Sequence, residues 1–251
     1  MLALVTGGTK GVGREIVSML IEKQIPTIYT GRYVVPNDFS SEYAIGKKLE
    51  LTNYDSIQSF LTDLKSENLK PNIIIHNAGI LSVKQKESPK KIQKMFMANA
   101  IGPLMLTQEL LPSVEKGHIL FNSPPYKIDD KVKFLTPYMQ SKLSQTTYMK
   151  SIAHIVDKKP ISVNSFWTHY PLWTDALRMR KIGTKDNCMH PKILAKVVEN
   201  IIFHENPETF KGNEIVDKHY LKSKNIPLLP FELGSDVKNL DSLFLGYLVN
   251  K

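Results

Sequence analysis

A chain of 251 residues, 42% of them hydrophobic, is long enough to bury a full-sized α/β core. The formal net charge is +9, yet its lysines are scattered, so a solvated face is expected rather than a nucleic-acid surface; a field that attracts polyanionic ligands stays open beside it. Cys188 is the single cysteine, which excludes an internal disulfide and a cysteine-based zinc cluster; the histidines lack metal-ligand spacing, and no run of about 18 apolar residues marks a membrane span. The first strand begins at the second residue and Val249-Asn250-Lys251 is no organellar address, so a cytoplasmic protein without a leader is expected.

Short apolar runs at 2–6, 27–30, 73–76, 118–121, 161–166 and 214–216 alternate with amphipathic segments at 11–23, 54–66, 90–115, 138–157 and 191–204. Such alternation predicts parallel strands joined by right-handed crossovers, with helices on both faces. The expected fold is a single doubly wound α/β Rossmann domain over 1–251, with a parallel sheet of about seven strands. Residues 33–48 predict a loop leading into an edge strand. Residues 221–251, with Pro227, Pro230 and the apolar Leu243, Phe244, Leu245, Tyr247 and Leu248, predict a tail packed on the body or on a neighbouring subunit.

Thr6-Gly7-Gly8-Thr9-Lys10-Gly11-Val12-Gly13 joins the first strand to the first helix. Gly7 can take a positive φ, Gly11 lets the backbone approach a phosphate, and Gly13 lets helix and strand pack closely. The helix N-terminus offers unpaired N–H groups to an anion, so a dinucleotide pyrophosphate is the expected ligand. Arg32 follows the second strand, at a place where an acidic residue would favour NAD; Arg32 and Lys10 predict NADP(H) instead, through charge-assisted bonds to a 2′-phosphate. Asn77-Ala78-Gly79 closes the 73–76 strand with small residues that leave room for a cofactor. Asn99, inside the 90–115 helix, predicts either a hydrogen bond to a neighbouring strand or a helix kink.

Tyr138 and Lys142 stand four apart, on one face of a helix. A phenol with a pKa near 10 is a poor acid–base group at neutral pH, and an adjacent ammonium is expected to lower it. Tyr138 is then the group that protonates a carbonyl oxygen, or deprotonates the matching alcohol. Trp167, Tyr170, Trp173 and Met179 either line an apolar substrate pocket or fill core.

These motifs resemble the short-chain dehydrogenase/reductase family over about residues 1–220, and most of all its hydroxysteroid dehydrogenase-like protein 2 branch, without that branch's sterol-carrier domain. The resemblance implies hydride transfer between NADP(H) and a carbonyl or secondary alcohol of a small, apolar substrate. It implies that Tyr138, Lys142, Ser123 and Asn99 are catalytic, Lys142 also binding the nicotinamide ribose and Asn99 ordering a water in the proton relay. Cofactor contacts are implied at Gly7, Thr9, Lys10, Gly11, Val12, Gly13, Arg32, Glu50, Leu51, Asn77, Ala78, Gly79, Tyr138, Lys142 and Thr174, with no metal. A homodimer or homotetramer through the 90–115 and 138–157 helices is implied as well. The family's Ser-Ser after the fifth strand is Ser123-Pro124 here, so Ser123 orients the substrate oxygen only if its loop shifts by a residue. Thr168-His169 replaces the usual Pro-Gly after the sixth strand. These departures keep a rival reading open, a non-enzymatic NADP(H) sensor or scaffold.

Overall fold

The computed structural model describes residues 1–34, 38–82, 84, 86–126, 137–181 and 183–235. These form a seven-stranded, all-parallel sheet in the order β3-β2-β1-β4-β5-β6-β7. The strands are β1 (Ala3–Val5), β2 (Thr27–Gly31), β3 (Ala44–Lys48), β4 (Ile73–His76), β5 (Gly117–Asn122), β6 (Ile161–Trp167) and β7 (Glu214–Val216). The order reverses between β1 and β4, so a crevice opens at the carboxyl ends of those two strands, where doubly wound sheets bind ligands.

Side-chain alternation sorts the strands between two cores. Ala3, Val5, Ile73 and Ile75 face α1 (Gly11–Glu22), α7 (Lys192–His204) and α8 (Asp217–Ser223). Leu4, Ile74, Ile119 and Phe121 face α2 (Tyr54–Ser66), α4 (Gly102–Leu110) and α5 (Pro137–Ile155). Both faces are covered, which is why β4 reads as an unbroken apolar run rather than an alternating one.

The amphipathic stretch at 90–115 is not one helix. It divides into α3 (Pro89–Phe96), a π-helical turn at Met97–Ile101, α4 and a 3₁₀ turn at Leu111–Ser113. Pro103 has no N–H to give the Asn99 carbonyl four residues back, and Gly102 N–H reaches back five residues to Met97 O. The edge strand β3 takes up 44–48, the end of the stretch expected to be loop, and residues 35–37 lie outside the described residues. Of the C-terminal stretch, Ile226, Leu228 and Phe231 pack on the first core, while Leu243 to Leu248 lie outside the described residues. Among the described residues, no helix is long and apolar enough to cross a membrane.

Candidate active site

The glycine turn is held open by what it lacks. Gly7 and Gly11 have φ of +67° and +54°. A Cβ on Gly13 would lie 2.1 Å from Gly7 O and 2.5 Å from Asn77 Nδ2, so only glycine lets the turn fold back on α1. Lys10 occupies the N-cap of α1 without a side-chain cap bond, and the first turn holds no acidic residue, so its N–H groups face the crevice uncompensated. Thr174, at the N-cap of α6 (Asp175–Arg178), lies against Gly11, 3.4 Å from where its Cβ would be. Thr9 packs on Gly31, and Gly8 N–H bonds Thr30 O at 2.9 Å, tying the turn to the end of β2. A turn that a Cβ would fill, with an uncapped helix start behind it, fits a dinucleotide diphosphate. Val12 turns its side chain to the core and offers only backbone.

At the β2 end, the Arg32 guanidinium is exposed and lies 3.8 Å from Glu50 Oε2. A groove of about 810 Å³ runs beside it, lined among others by Arg32, Lys47, Lys48 and Glu50. Glu50 Oε1 accepts from Thr52 N–H and from the Thr52 hydroxyl, which fixes its carboxylate. Leu51 is buried in the second core, so only its backbone can reach a ligand.

A chain of hydrogen bonds joins this turn to α5. The Asn77 amide donates to Thr6 O and Gly7 O, each at 3.2 Å. Asn77 Oδ1 accepts from Asn122 Nδ2 at 3.0 Å, and Asn122 O accepts from Lys142 Nζ at 2.8 Å. The Thr6 hydroxyl accepts from Asn77 N–H and Ala78 N–H. Asn99 stands where the helix is distorted, and its amide bonds the loop after β4 and α5 rather than a strand. Its Oδ1 accepts from Ile80 N–H at 2.7 Å, its Nδ2 donates to Ile80 O and Ser141 Oγ, and it sits in the π turn. A Cβ on Gly79 would lie 3.1 Å from Asn99 Oδ1 and 3.3 Å from Lys142 Nζ, so Gly79 is the floor on which amide and amine meet.

Tyr138 is nearly buried among Met95, Met139 and Trp167, with Ile80, Leu81 and Ile92 closing the cup. Burial drives its phenol well above the usual tyrosine range, and the opposing charge is that of Arg180. Lys142 is buried too, and burial pulls its amine down to about 7. Its charge bears on His76, whose imidazole burial holds down to about 3. The expected phenol–ammonium coupling is therefore not what the geometry displays. One turn of helix separates the residues, but Lys142 reaches towards β4 and β5 while Tyr138 enters the apolar cup. His76 Nε2 lies 2.8 Å from Thr107 Oγ1, whose own proton goes to Pro103 O, so Nε2 carries the imidazole hydrogen.

The Ser123 side chain is engaged by α5. Its hydroxyl is buried, 2.9 Å from Thr146 Oγ1 on α5, and Thr146 also bonds Pro124 O at 2.6 Å. Of the four aromatic or methionine candidates, Trp167 lines the Tyr138 cup, Tyr170 fills the first core, Trp173 is half-buried and Met179 is 83% exposed. Thr168-His169 is pinned from α8: Asp217 Oδ1 accepts from His169 N–H at 2.8 Å and from Lys218 N–H at 2.6 Å, its carboxyl raised to about 6 by burial. Asn122, Arg180 and Asp217 escaped the sequence reading. Asn122 directly precedes Ser123, and Arg180 directly follows Met179, so position beside a candidate was the only signal for either. No group of three or more metal-ligating side chains occurs among the described residues.

Comparison with known proteins agrees with the fold. Residues 1–180 match the model of the family described as short chain dehydrogenase. Hydroxysteroid dehydrogenase-like protein 2 of Homo sapiens is 22% identical over 244 residues, covering 88% of this chain and 57% of the relative. Short-chain dehydrogenase TIC 32 A, chloroplastic, of Brassica napus is 28% identical over 126 residues, 47% of this chain and 39% of that protein. The chain thus spans about half the length of these curated relatives. A putative dehydrogenase from Xanthomonas campestris superposes with a TM-score of 0.82 at 18% identity, over 93% of each chain. A 4-hydroxyisoleucine dehydrogenase complexed with NADH superposes with a TM-score of 0.72 at 21% identity, over 86% of this chain and 95% of that one. With a family model matched across most of its length and a sheet order that agrees, this chain belongs to the short-chain dehydrogenase family, a family of oxidoreductases.

Proposed function

We propose that the protein interconverts a carbonyl compound and the matching secondary alcohol with NADP(H), using Tyr138 as the acid–base group. The observation that supports this reading is the bonded path Gly7–Asn77–Asn122–Lys142, which ties a buried amine to the glycine turn, with Tyr138 one helical turn before that lysine on α5. Gly7, Thr9, Lys10, Gly11, Val12, Gly13 and Thr174 would hold the diphosphate, and Arg32, Glu50 and Leu51 the adenosine end. Asn77, Ala78, Gly79, Tyr138 and Lys142 would hold the nicotinamide end. The nicotinamide, when bound, supplies or accepts the hydride.

The phenol of Tyr138 gives a proton to the carbonyl oxygen in one direction and recovers it in the other. Its apolar cup excludes water from that transfer. Asn99 clamps the Ile80 backbone and, with Lys142 beside it over Gly79, supports the route by which the phenol regains its proton. The Ser123 hydroxyl is committed to Thr146, so in this reading it is a positioning residue behind Pro124. NADP(H) rather than NAD(H) is favoured by Arg32, whose long exposed pair with Glu50 costs little to open. We place the protein in the cytoplasm as a homodimer or homotetramer.

The test is a panel of aldehydes and ketones with NADPH, followed by absorbance. Tyr138→Phe is expected to lower turnover by about 10²- to 10⁴-fold while NADPH still binds. The buried Ser123 and the proline beside it favour a second reading, an NADP(H) sensor or scaffold. In that case no carbonyl compound oxidises NADPH, and Tyr138→Phe changes nothing.

A further inference from the structure

The rim of the Tyr138 cup carries a moored cation. Arg180 follows α6, and its Nη2 donates to Leu81 O, in the loop after β4, at 2.6 Å, while Nη1 donates to Ala176 O at 2.9 Å. Leu81 is itself one wall of the cup around the phenol. The guanidinium is thereby held against the tyrosine pocket by backbone carbonyls from both sides. Its neighbour Arg178 pairs with Asp175, but no carboxylate pairs with Arg180 among the described residues. A guanidinium has five N–H donors in a planar fork. Two of them are used here, and the residue remains exposed.

An unpaired arginine above an otherwise apolar cup is selective chemistry. Ile80, Ile92 and Met95 offer a hydrocarbon chain no polar partner. A planar carboxylate matches the free edge of the guanidinium and would gain charge-assisted hydrogen bonds there. We propose that Arg180 is a specificity residue that takes a substrate carboxylate, so that the site prefers apolar oxo acids or hydroxy acids over neutral carbonyl compounds. This rests on the oxidoreductase reading for turnover, but the carboxylate site itself does not.

Two measurements keep the two ideas apart. The first is calorimetric binding of hexanoate and of its uncharged methyl ester to the protein with NADPH present. Hexanoate is expected to bind about 10- to 100-fold more tightly than the ester. In Arg180→Gln, which keeps an N–H for Leu81 O but loses the charge, that ratio should fall to near one, and Arg180→Lys should restore part of it. Equal binding of acid and ester to the unmodified protein, or a preference that survives Arg180→Gln, overturns the carboxylate site.

The second is the ratio of kcat/KM for an apolar 3-oxo acid and its methyl ester, which should follow the same pattern. Discrimination in binding without any turnover would leave the carboxylate site standing and overturn the enzymatic reading. Turnover with no discrimination would do the reverse.

Discussion

Lys142 shows at the scale of one residue how burial changes what a motif can do. Its amine, ordinarily titrating at 10.5, is lowered to about 7 because the interior penalises its charged form. Below pH 7 the folded protein bears the whole cost of a buried ammonium. Between 7 and 10.5 the folded amine is neutral while the unfolded one still binds a proton, so stability rises with pH through that window. Lys142→Met should therefore melt several degrees above the unmodified protein at pH 6, at roughly 2–4 °C per kcal/mol, and the gap should close towards pH 10. A gap that stays constant with pH would show an ordinary lysine. The same burial explains why the spacing of Tyr138 and Lys142 was legible in the sequence but their coupling was not. A spacing of four brings two Cα–Cβ bonds to one face, while the neighbours decide where each long side chain ends. Here the Asn122 carbonyl draws the amine one way, and Met95 and Trp167 enclose the phenol on the other side.

Among the elements, the π turn at Met97–Ile101 is the one periodicity could not announce. Apolar spacing continues through 90–115, so the sequence reads as one long helix. The break comes from Pro103, which cannot bond back to Asn99 O, and from an amide that clamps a loop nineteen residues earlier. Asn99→Ala would leave Ile80 N–H and C=O without their partner. Each buried group left unpaired costs about 1–3 kcal/mol, so this variant should lose at least one such increment in a urea titration. It should also lose hydrogen-exchange protection at the Ile80 amide first. A variant as stable as the unmodified protein would mean that water replaces the amide at no cost. The strands were easier to read. β1 and β4 are buried on both faces, so their residue types alone declare them.

For the whole molecule, ligand linkage reports the cofactor preference without needing a substrate. NADPH at 100 times its Kd should add about 2.7 kcal/mol to stability, a rise of roughly 5–10 °C for a chain of this size. NADH should give a smaller rise, and Arg32→Ala should bring the two together. If NADH protects as well as NADPH does in the unmodified protein, Arg32 is a surface residue and no more. The alternation of strands and helices, the glycine turn and the Tyr–Lys spacing follow from local facts: which residues are glycine, which runs are apolar, which side chains stand four apart. Those depend on neighbours in the chain, and the sequence by itself determined them. Three things rest on contacts between residues far apart in the chain, and only the tertiary structure decided them. Ser123 turns to Thr146 on another element, Asn122 links the turn to Lys142, and Arg180 crosses 99 residues of sequence to reach Leu81. Hydrogen bonds of that kind form only once the sheet and helices have brought donor and acceptor within 3 Å or so, and no local pattern encodes which pairs will meet.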